Sequence, residues 1–251
     1  ITGDFTNRHG LHIYLRRACP PTSGKGFDEW SHAQSIIRDG DGKLLQVNEA
    51  AVSVDGSSII TLSLGQINSF APPSTGPQIY VYERDSTCGN AAAQWSIQQT
   101  FLQEDFVDNS QWNLIAANDD QTILFVQFTI DNHFAIYTRE RAQKKTKCGS
   151  ESLLSPDGYK FKLLQNILFA DIDGATAINQ LSALSHDGKT LIATATFSSA
   201  PTLRAVQFEY DCQENRYVVA STFAIDASSD YVLQDIKFGG ACSERLFFLE
   251  I

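Results

Sequence analysis

An eight-residue pattern decides the fold, since the chain repeats the stretch Trp95-Ser-Ile-Gln-Gln99-Thr-Phe101-Leu102. An aromatic residue opens the pattern, a small polar side chain follows four positions later, and an apolar pair comes after it. The other copies begin at Trp30, Phe161 and Tyr217. Four copies of one pattern indicate an internal repeat, which has to be recognised before any single motif is interpreted.

Two further elements recur with the pattern. A short β-branched and aromatic run precedes each copy and predicts a strand. These runs are Ile13-Tyr14-Leu15-Arg16, Val81-Tyr82-Glu83-Arg84, Ile136-Tyr137-Thr138-Arg139 and the weaker Val206-Gln207-Phe208-Glu209-Tyr210. The third element is a hairpin between apolar runs, with Asp55-Gly56 or Asp187-Gly188 at its tip. Asp-Gly favours the positive φ angles of a type I′ turn, so we predict turns of that type.

Degenerate hairpins extend the repeat to the rest of the chain. One spans residues 117–123, with Asp119 at the aspartate position, and another spans 241–246, with Cys242 there. Each unit of roughly 63 residues then contains four antiparallel strands, the content of one propeller blade. No segment between the strands shows the period of an amphipathic helix.

The predicted fold class is therefore all-β, a β-propeller of four-stranded antiparallel blades in one domain that spans 1–251. The repeat units are 235–251 together with 1–48, then 49–112, 113–180 and 181–234. About four blades fit this length. We expect either a ring closed by pairing of the two chain ends or part of a larger propeller. The lack of Met and the position of the ends within a blade favour the second alternative.

The repeats resemble the Asp-Gly-hairpin propeller repeats related to the FG-GAP and kelch-like repeats of extracellular proteins. The matching residues are Ser53 to Gly56, Val81-Tyr82, Trp95 to Gln99, and Ser185 to Gly188. This resemblance covers nearly the whole chain and implies fold more specifically than function. The calcium signature of integrin-type repeats is represented only by its opening, in Asp39-Gly-Asp41-Gly42 and Asp171-Ile-Asp173-Gly174.

Composition excludes several functional classes. The chain has 251 residues, 43% of them hydrophobic, with 29 acidic and 19 basic side chains and a net charge of −10. Such a chain can bury a core, so wholesale disorder is excluded. Its scattered cations argue against nucleic acid as a partner, and the lack of a long apolar run argues against membrane insertion. The P-loop, G-x-G-x-x-G and G-x-S-x-G motifs are all absent.

Carboxylates and cysteines are the candidate site residues. Clustered acids in the loops between blades could form a negative ring that attracts calcium or a cationic partner, or they could simply form turns. The best calcium ligands are Asp39, Asp41, Asp171 and Asp173. Four cysteines are predicted in the loop between the third and fourth strands, namely Cys19, Cys88, Cys148 and Cys212. The fifth, Cys242, could pair with Cys19, and the others could form intermolecular disulfides or remain free thiols.

These features predict a non-catalytic, extracellular or cell-surface module. Its expected role is interaction or structure within a larger assembly or filament, and its expected partners are other protein subunits or surface glycans. The alternatives are a calcium-dependent glycan-binding lectin and a propeller-fold hydrolase or lyase that uses the acidic channel face. A metal assay with calcium would separate the calcium-dependent alternatives from the rest.

Overall fold

A computed structural model describes most of the strands predicted from the repeat. The described residues are 10–17, 29–38, 47, 49–54, 56–63, 78–84, 94–101, 112–128, 133–139, 160–199, 202–225, 233–239 and 245–250. Sixteen strands lie in these ranges: β1 (Leu11–Arg17), β2 (Glu29–Ile36), β3 (Glu49–Val52), β4 (Ser58–Ser63), β5 (Gln78–Arg84), β6 (Trp95–Phe101), β7 (Trp112–Ala117), β8 (Ile123–Phe128), β9 (His133–Thr138), β10 (Lys162–Leu168), β11 (Ala175–Leu184), β12 (Thr190–Phe197), β13 (Leu203–Asp211), β14 (Arg216–Ala224), β15 (Leu233–Gly239) and β16 (Arg245–Glu250).

The strands form antiparallel sheets in chain order. Three sheets have four strands each, β3 to β6, β7 to β10 and β11 to β14, and every strand is hydrogen-bonded to the one before it. Two further sheets have two strands each, β1 with β2 and β15 with β16. The single helical segment in the described ranges is a 3₁₀ turn at Phe169–Asp171. The predicted all-β fold class, with the four-stranded blades of a β-propeller, is confirmed.

Burial along each sheet fits a blade, whose middle strands are covered on both faces. All six residues of β4 are buried, and β12 is buried at most positions. The last strand of the third sheet, β14, is instead exposed at most positions after Tyr217. Cover on both faces explains why these strands carry apolar and small hydroxyl side chains at successive positions and do not strictly alternate apolar with charged residues.

The chain divides into two compact units, Ile1–Ala50 with Ser57–Leu102, and Ala51–Gly56 with Gln103–Ile251. In the first unit, β1 contributes Leu11 and Ile13 to a buried cluster with Ile59, Tyr82 and Trp95. In the second unit, a larger cluster joins side chains from β8, β9 and β10 to those of β11 through β14. Full burial of one such aliphatic or aromatic side chain contributes about 1.5–3 kcal/mol.

The strands β2, β6, β10 and β14, which open with the aromatic pattern and end their sheets, each carry a bulge at the same point of the repeat. In β2, Gln34 pairs with Ile13 but His32 pairs with Tyr14, so Ala33 is the extra residue. The other strand pairs shift register at the corresponding point, where the extra residues are Gln98, Leu164 and Ala220. A bulge turns the following side chain in a new direction. This extra residue explains the spacing between the aromatic and polar positions of the eight-residue pattern.

Within the described residues, no helix combines the length and the apolar character needed to cross a bilayer.

Candidate functional site

The turn between β11 and β12 shows how the hairpin sequence builds its geometry. The Gly188 N–H donates to the Ser185 carbonyl at 2.9 Å. The Asp187 Oδ1 accepts from the Ser185 hydroxyl at 2.7 Å and from the Lys189 N–H at 3.0 Å. The Lys189 N–H lowers the pKa of Asp187, and the Ser185 hydroxyl and the Lys189 charge act in the same direction, whereas partial burial opposes them. This carboxylate is therefore engaged in holding its own turn.

The predicted type I′ turn is wrong. Gly188 has a φ of +73°, and neither of the two residues before it, His186 and Asp187, has a positive φ. The turn is accordingly type I followed by a glycine in the left-handed region, an arrangement that needs only one positive φ. Gly56 likewise has a φ of +65°, and its N–H donates to the Ser53 carbonyl at 2.8 Å; Asp55, before it, lies outside the described residues.

The degenerate hairpin between β7 and β8 keeps this geometry with different residues. The Gln121 N–H donates to the Asn118 carbonyl at 2.8 Å, and Gln121 has a φ of +53° at the glycine position. The Asp120 Oδ1 accepts from the Thr122 N–H at 3.1 Å, as Asp187 accepts from Lys189. The aspartate equivalent to Asp187 is thus Asp120, and the predicted assignment of Asp119 to that position is wrong by one residue.

Backbone hydrogen bonds join three successive turns. The Val54 N–H donates to the Asp119 carbonyl at 2.8 Å, and the Asp119 N–H donates to the His186 carbonyl at 3.0 Å. These three residues occupy the second position of their turns, so one contact repeats from turn to turn. The Gln121 side-chain amide adds a bond to the Ala51 carbonyl at 3.0 Å. We call the three linked turns, residues 53–56, 118–121 and 185–188 as far as they are described, the hairpin platform.

The side chains at the second turn positions are the exposed part of the hairpin platform. Val54 is 78% exposed. The His186 Nδ1 lies 2.7 Å from the Asp119 Oδ1, and the two side chains are 42% and 48% exposed. The hairpin platform therefore presents an apolar group, a carboxylate and an imidazole on a hydrogen-bonded backbone.

Two buried side chains, those of Arg139 and Tyr217, each donate a hydrogen bond to a carbonyl of one turn. The Arg139 Nε donates to the Gln121 carbonyl at 2.6 Å, and its guanidinium lies 4.5 Å from the centre of the Phe161 ring. In the next sheet the Tyr217 hydroxyl donates to the carbonyl of Gly188. Burial raises the pKa of Tyr217 well above its usual range, with smaller contributions from Tyr210 and Asp187, so the hydroxyl stays protonated as a donor.

The polar residue of the eight-residue pattern ties neighbouring sheets together. The Gln34 amide donates to the Trp95 carbonyl at 3.0 Å and accepts from the Trp95 N–H at 2.8 Å. Gln165 forms the same pair of bonds with the backbone of Tyr217, at 3.1 and 2.8 Å. We call each such pair a glutamine clamp. In the fourth copy Ser221 takes this position and donates within its own sheet, to the Gln207 amide oxygen at 3.1 Å.

Three of the four aromatic positions of the repeat are packing residues, as predicted, and the side chain of the fourth, Trp30, is not among those described. Trp95, Phe161 and Tyr217 are 4%, 4% and 2% exposed. The Arg84 guanidinium lies 4.9 Å from the centre of the Trp95 ring, as Arg139 does over Phe161. In the third four-stranded sheet a Tyr210–Tyr217 edge contact at 5.4 Å replaces the arginine–aromatic pair. The Tyr-x-Arg signal therefore encodes the partner of the aromatic residue.

The predicted calcium ligands are only partly described. Asp39 and Asp41 lie outside the described residues. Asp171 and Asp173 are exposed, and the Asp171 Oδ2 accepts from the Leu168 N–H at 2.8 Å, which closes the 3₁₀ turn. No group of three or more His, Cys, Asp or Glu with metal-binding geometry lies in the described ranges. Calcium binding stays a prediction.

The cysteine predictions also fall mostly outside the described residues, which exclude Cys19, Cys242, Cys88 and Cys148. Cys212 lies in the turn between β13 and β14, the predicted location, and it is exposed with a free thiol. The disulfide between Cys19 and Cys242 stays a prediction.

No protein-family profile and no curated protein matches the chain. Solved structures that resemble it include a Chaetomium thermophilum Sqt1 bound to the N-terminus of the ribosomal protein L10, at 12% identity and a TM-score of 0.49, covering 88% of this chain and 46% of that one. The β-propeller domain of Myceliophteria thermophila Cps50 (Swd1) matches at 9% and 0.48, covering 92% and 59%. A putative 6-phosphogluconolactonase from Bacteroides fragilis matches at 14% and 0.45, covering 90% and 55%. The chain thus spans about half the length of these solved chains, and the matches are too distant to indicate an activity or a partner.

Proposed function

We propose that this chain is a protein-interaction module that binds its partner through the hairpin platform. The observation that carries the proposal is the repeated backbone bond from Val54 to Asp119 and from Asp119 to His186. Binding costs less free energy when the contacting residues are ordered beforehand, because less conformational entropy is lost. Three turns linked to one another, two of which are also held by hydrogen bonds of their own side chains, provide such an ordered surface.

Charge and exposure specify the partner. The chain carries a net charge of −10, which favours encounter with a cationic partner. On the hairpin platform the Asp119 carboxylate is about half exposed beside the exposed Val54 side chain. The matching partner is a protein segment that places a Lys or Arg side chain next to an apolar one. The charge pair would give orientation and encounter rate, and the apolar contact would give most of the affinity.

Photocrosslinking tests this proposal. A photoreactive phenylalanine derivative is placed at Val54 in the full chain and, as a matched control, at the exposed outer-strand residue Val219, which is 43% exposed. We expect the first position to yield one discrete conjugate in an extract of the producing cells, with the attached peptide rich in Lys or Arg. The control position should yield none. Asp119→Lys should suppress the conjugate. It should lower the free energy of unfolding by no more than about 0.5 kcal/mol, since the side chain is exposed.

Two results would contradict the proposal. Equal labelling from both positions would mean that the hairpin platform is not selective, and an unchanged conjugate with Asp119→Lys would exclude the carboxylate as a recognition group.

The extracellular location and the FG-GAP or kelch-like type of the repeat stay predictions. Calcium-dependent glycan binding and hydrolysis or elimination at the acidic face also stay predictions.

A further inference from the structure

Two histidines and a serine converge on the exposed face of the sheet formed by β1 and β2. Along β1, Leu11 and Ile13 are buried while His12 and Tyr14 are exposed, so one face packs and the other does not. His12 pairs with Ser35, and Tyr14 pairs with His32. In a regular strand His32 and Ser35 would lie on opposite faces, because they are three residues apart. The bulge between them brings both side chains to the face of His12.

The ring nitrogens of both histidines face one oxygen atom. The His12 Nδ1 lies 2.8 Å from the Ser35 Oγ, and the His32 Nε2 lies 2.7 Å from the same atom. A hydroxyl has a single hydrogen to donate, so only one of these nitrogens can accept from Ser35 while the other donates to it. The Tyr14 ring packs edge-on against His32 with ring centres 5.4 Å apart, which orients that imidazole.

The other repeats do not have histidine at these positions. The strand registers place three residue pairs at the positions equivalent to His12 and His32, and none contains an imidazole. These pairs are Tyr80 with Ile97, Ala135 with Leu163, and Val206 with Val219. Packing of the repeat therefore does not require imidazoles at these positions, and the two histidines call for a role that is specific to this sheet.

We propose that His12 and His32 bind a divalent transition-metal ion, with the Ser35 hydroxyl and water as the remaining ligands. Neutral imidazole is a preferred ligand of Zn²⁺, Ni²⁺ and Cu²⁺. An ion at the position of the shared hydroxyl would lie 2.7–2.8 Å from the two nitrogens. A Zn–N bond is about 2.0–2.1 Å long, so each nitrogen would have to move toward the ion by about 0.7 Å and the Ser35 hydroxyl would have to move aside to remain a ligand. Both facing nitrogens then offer a lone pair, and each ring keeps its proton on the other nitrogen. The ion would join two adjacent strands and stabilise their pairing.

Calorimetric titration of the full chain with ZnCl₂ and with NiCl₂ tests the proposal. Wild-type protein should bind either ion, and CaCl₂ should not compete, because calcium prefers oxygen ligands. Loss of a group that merely orients a ligand lowers metal affinity by about 10–100-fold, so loss of a histidine ligand, which water does not replace equally well, should cost at least about tenfold. His12→Ala and His32→Ala should each show this loss. His186→Ala is the matched control, an exposed histidine elsewhere, and should leave the affinity unchanged.

A second readout identifies the ligand atoms. Side-chain ¹⁵N NMR should show that Zn²⁺ shifts the Nδ1 resonance of His12 and the Nε2 resonance of His32, which a purely structural role would not produce. Ser35→Ala should retain binding, since water can replace the hydroxyl. The proposal is wrong if wild type binds neither ion, if either histidine variant keeps the wild-type affinity while folded by circular dichroism, or if His186→Ala loses as much affinity.

Discussion

Replacement of Gln165 by alanine removes one glutamine clamp and should destabilise the second compact unit. The Gln165 side chain gives two hydrogen bonds to the backbone of Tyr217, at 3.1 and 2.8 Å. Alanine can form neither bond, and it leaves the N–H and the C=O of a residue that is only 2% exposed without these partners. The clamp also connects β10 with β14, two strands that make few other contacts with each other.

The magnitude follows from the two bonds. A hydrogen bond in a folded protein contributes about 0.5–1.5 kcal/mol net, and a buried group left unsatisfied costs about 1–3 kcal/mol. Gln165 is only partly buried, so water can reach the vacated groups and the cost should lie toward the lower end. We expect the free energy of unfolding to fall by about 2–3 kcal/mol. For a chain of this size the melting temperature should fall by about 4–12 °C.

Urea denaturation followed by circular dichroism measures the effect, with the change in midpoint converted through an unchanged slope. Gln98→Ala is the matched control, because Gln98 is an exposed glutamine in the corresponding strand and its amide bonds only the nearby Ser96 hydroxyl at 2.9 Å. That variant should stay within about 0.5 kcal/mol of wild type. Equal stability of Gln165→Ala and Gln98→Ala would refute the clamp as a stabilising contact between sheets.

Three further variants test the turns and their supports. Gly188→Ala should destabilise by about 1–3 kcal/mol more than Gly56→Ala in urea titrations. Both place alanine at a positive φ, but only at 188 would the new Cβ lie 2.9 Å from a neighbouring amide nitrogen. An equal fall in the free energy of unfolding for the two variants would show that this close contact has no cost. Arg139→Ala should lower the free energy of unfolding by about 2–4 kcal/mol, since this side chain is 4% exposed and donates to a turn carbonyl. Arg216→Ala removes an ion pair whose side chains are 57% and 51% exposed, and should lower it by less than about 1 kcal/mol. The reverse order would refute the role of Arg139 in supporting the turn. The lowered pKa of Asp187 stabilises the folded state above the ordinary aspartate pKa of 3.8. The stability difference between wild type and Asp187→Ala, followed by thermal melts across pH, should therefore be full at neutral pH and disappear as pH falls through the folded-state pKa; a difference that persists in acid would contradict this assignment.

Local sequence signals predicted the strands well, because the middle strands are short runs rich in apolar residues next to a turn residue and the last strands share the aromatic pattern. The repeat of Trp95, Phe161 and Tyr217 also predicted buried aromatics correctly, since packing at equivalent positions imposes the same residue type. Turn type was predicted less well. Asp-Gly is compatible with several turns, and the number of residues in the hairpin, which selects among them, depends on strand register.

Contacts between repeats were beyond local reasoning. The polar residue at Gln34 was visible as part of the pattern, but its acceptor is the backbone of Trp95, 61 residues away. The hairpin platform depends on hydrogen bonds donated by main-chain N–H groups, which every residue type except proline has. The side chains in the sequence therefore do not predict it. The bulge that brings His12, His32 and Ser35 together cannot be predicted from the residue types of β2 alone. It can be inferred only by aligning the repeats, which share one extra residue at the same point.

Backbone hydrogen bonds join the three hairpin turns into one hairpin platform, on which the proposed interaction depends. Residue-resolved hydrogen exchange of the Val54 and Asp119 amides tests this claim most directly, because each donates to the next turn. We predict that both amides exchange at least about a hundredfold more slowly than in an unstructured chain, equivalent to about 2.7 kcal/mol for opening. Exchange of either amide at the rate of an unstructured chain would contradict the linkage of the turns, since they would then move independently.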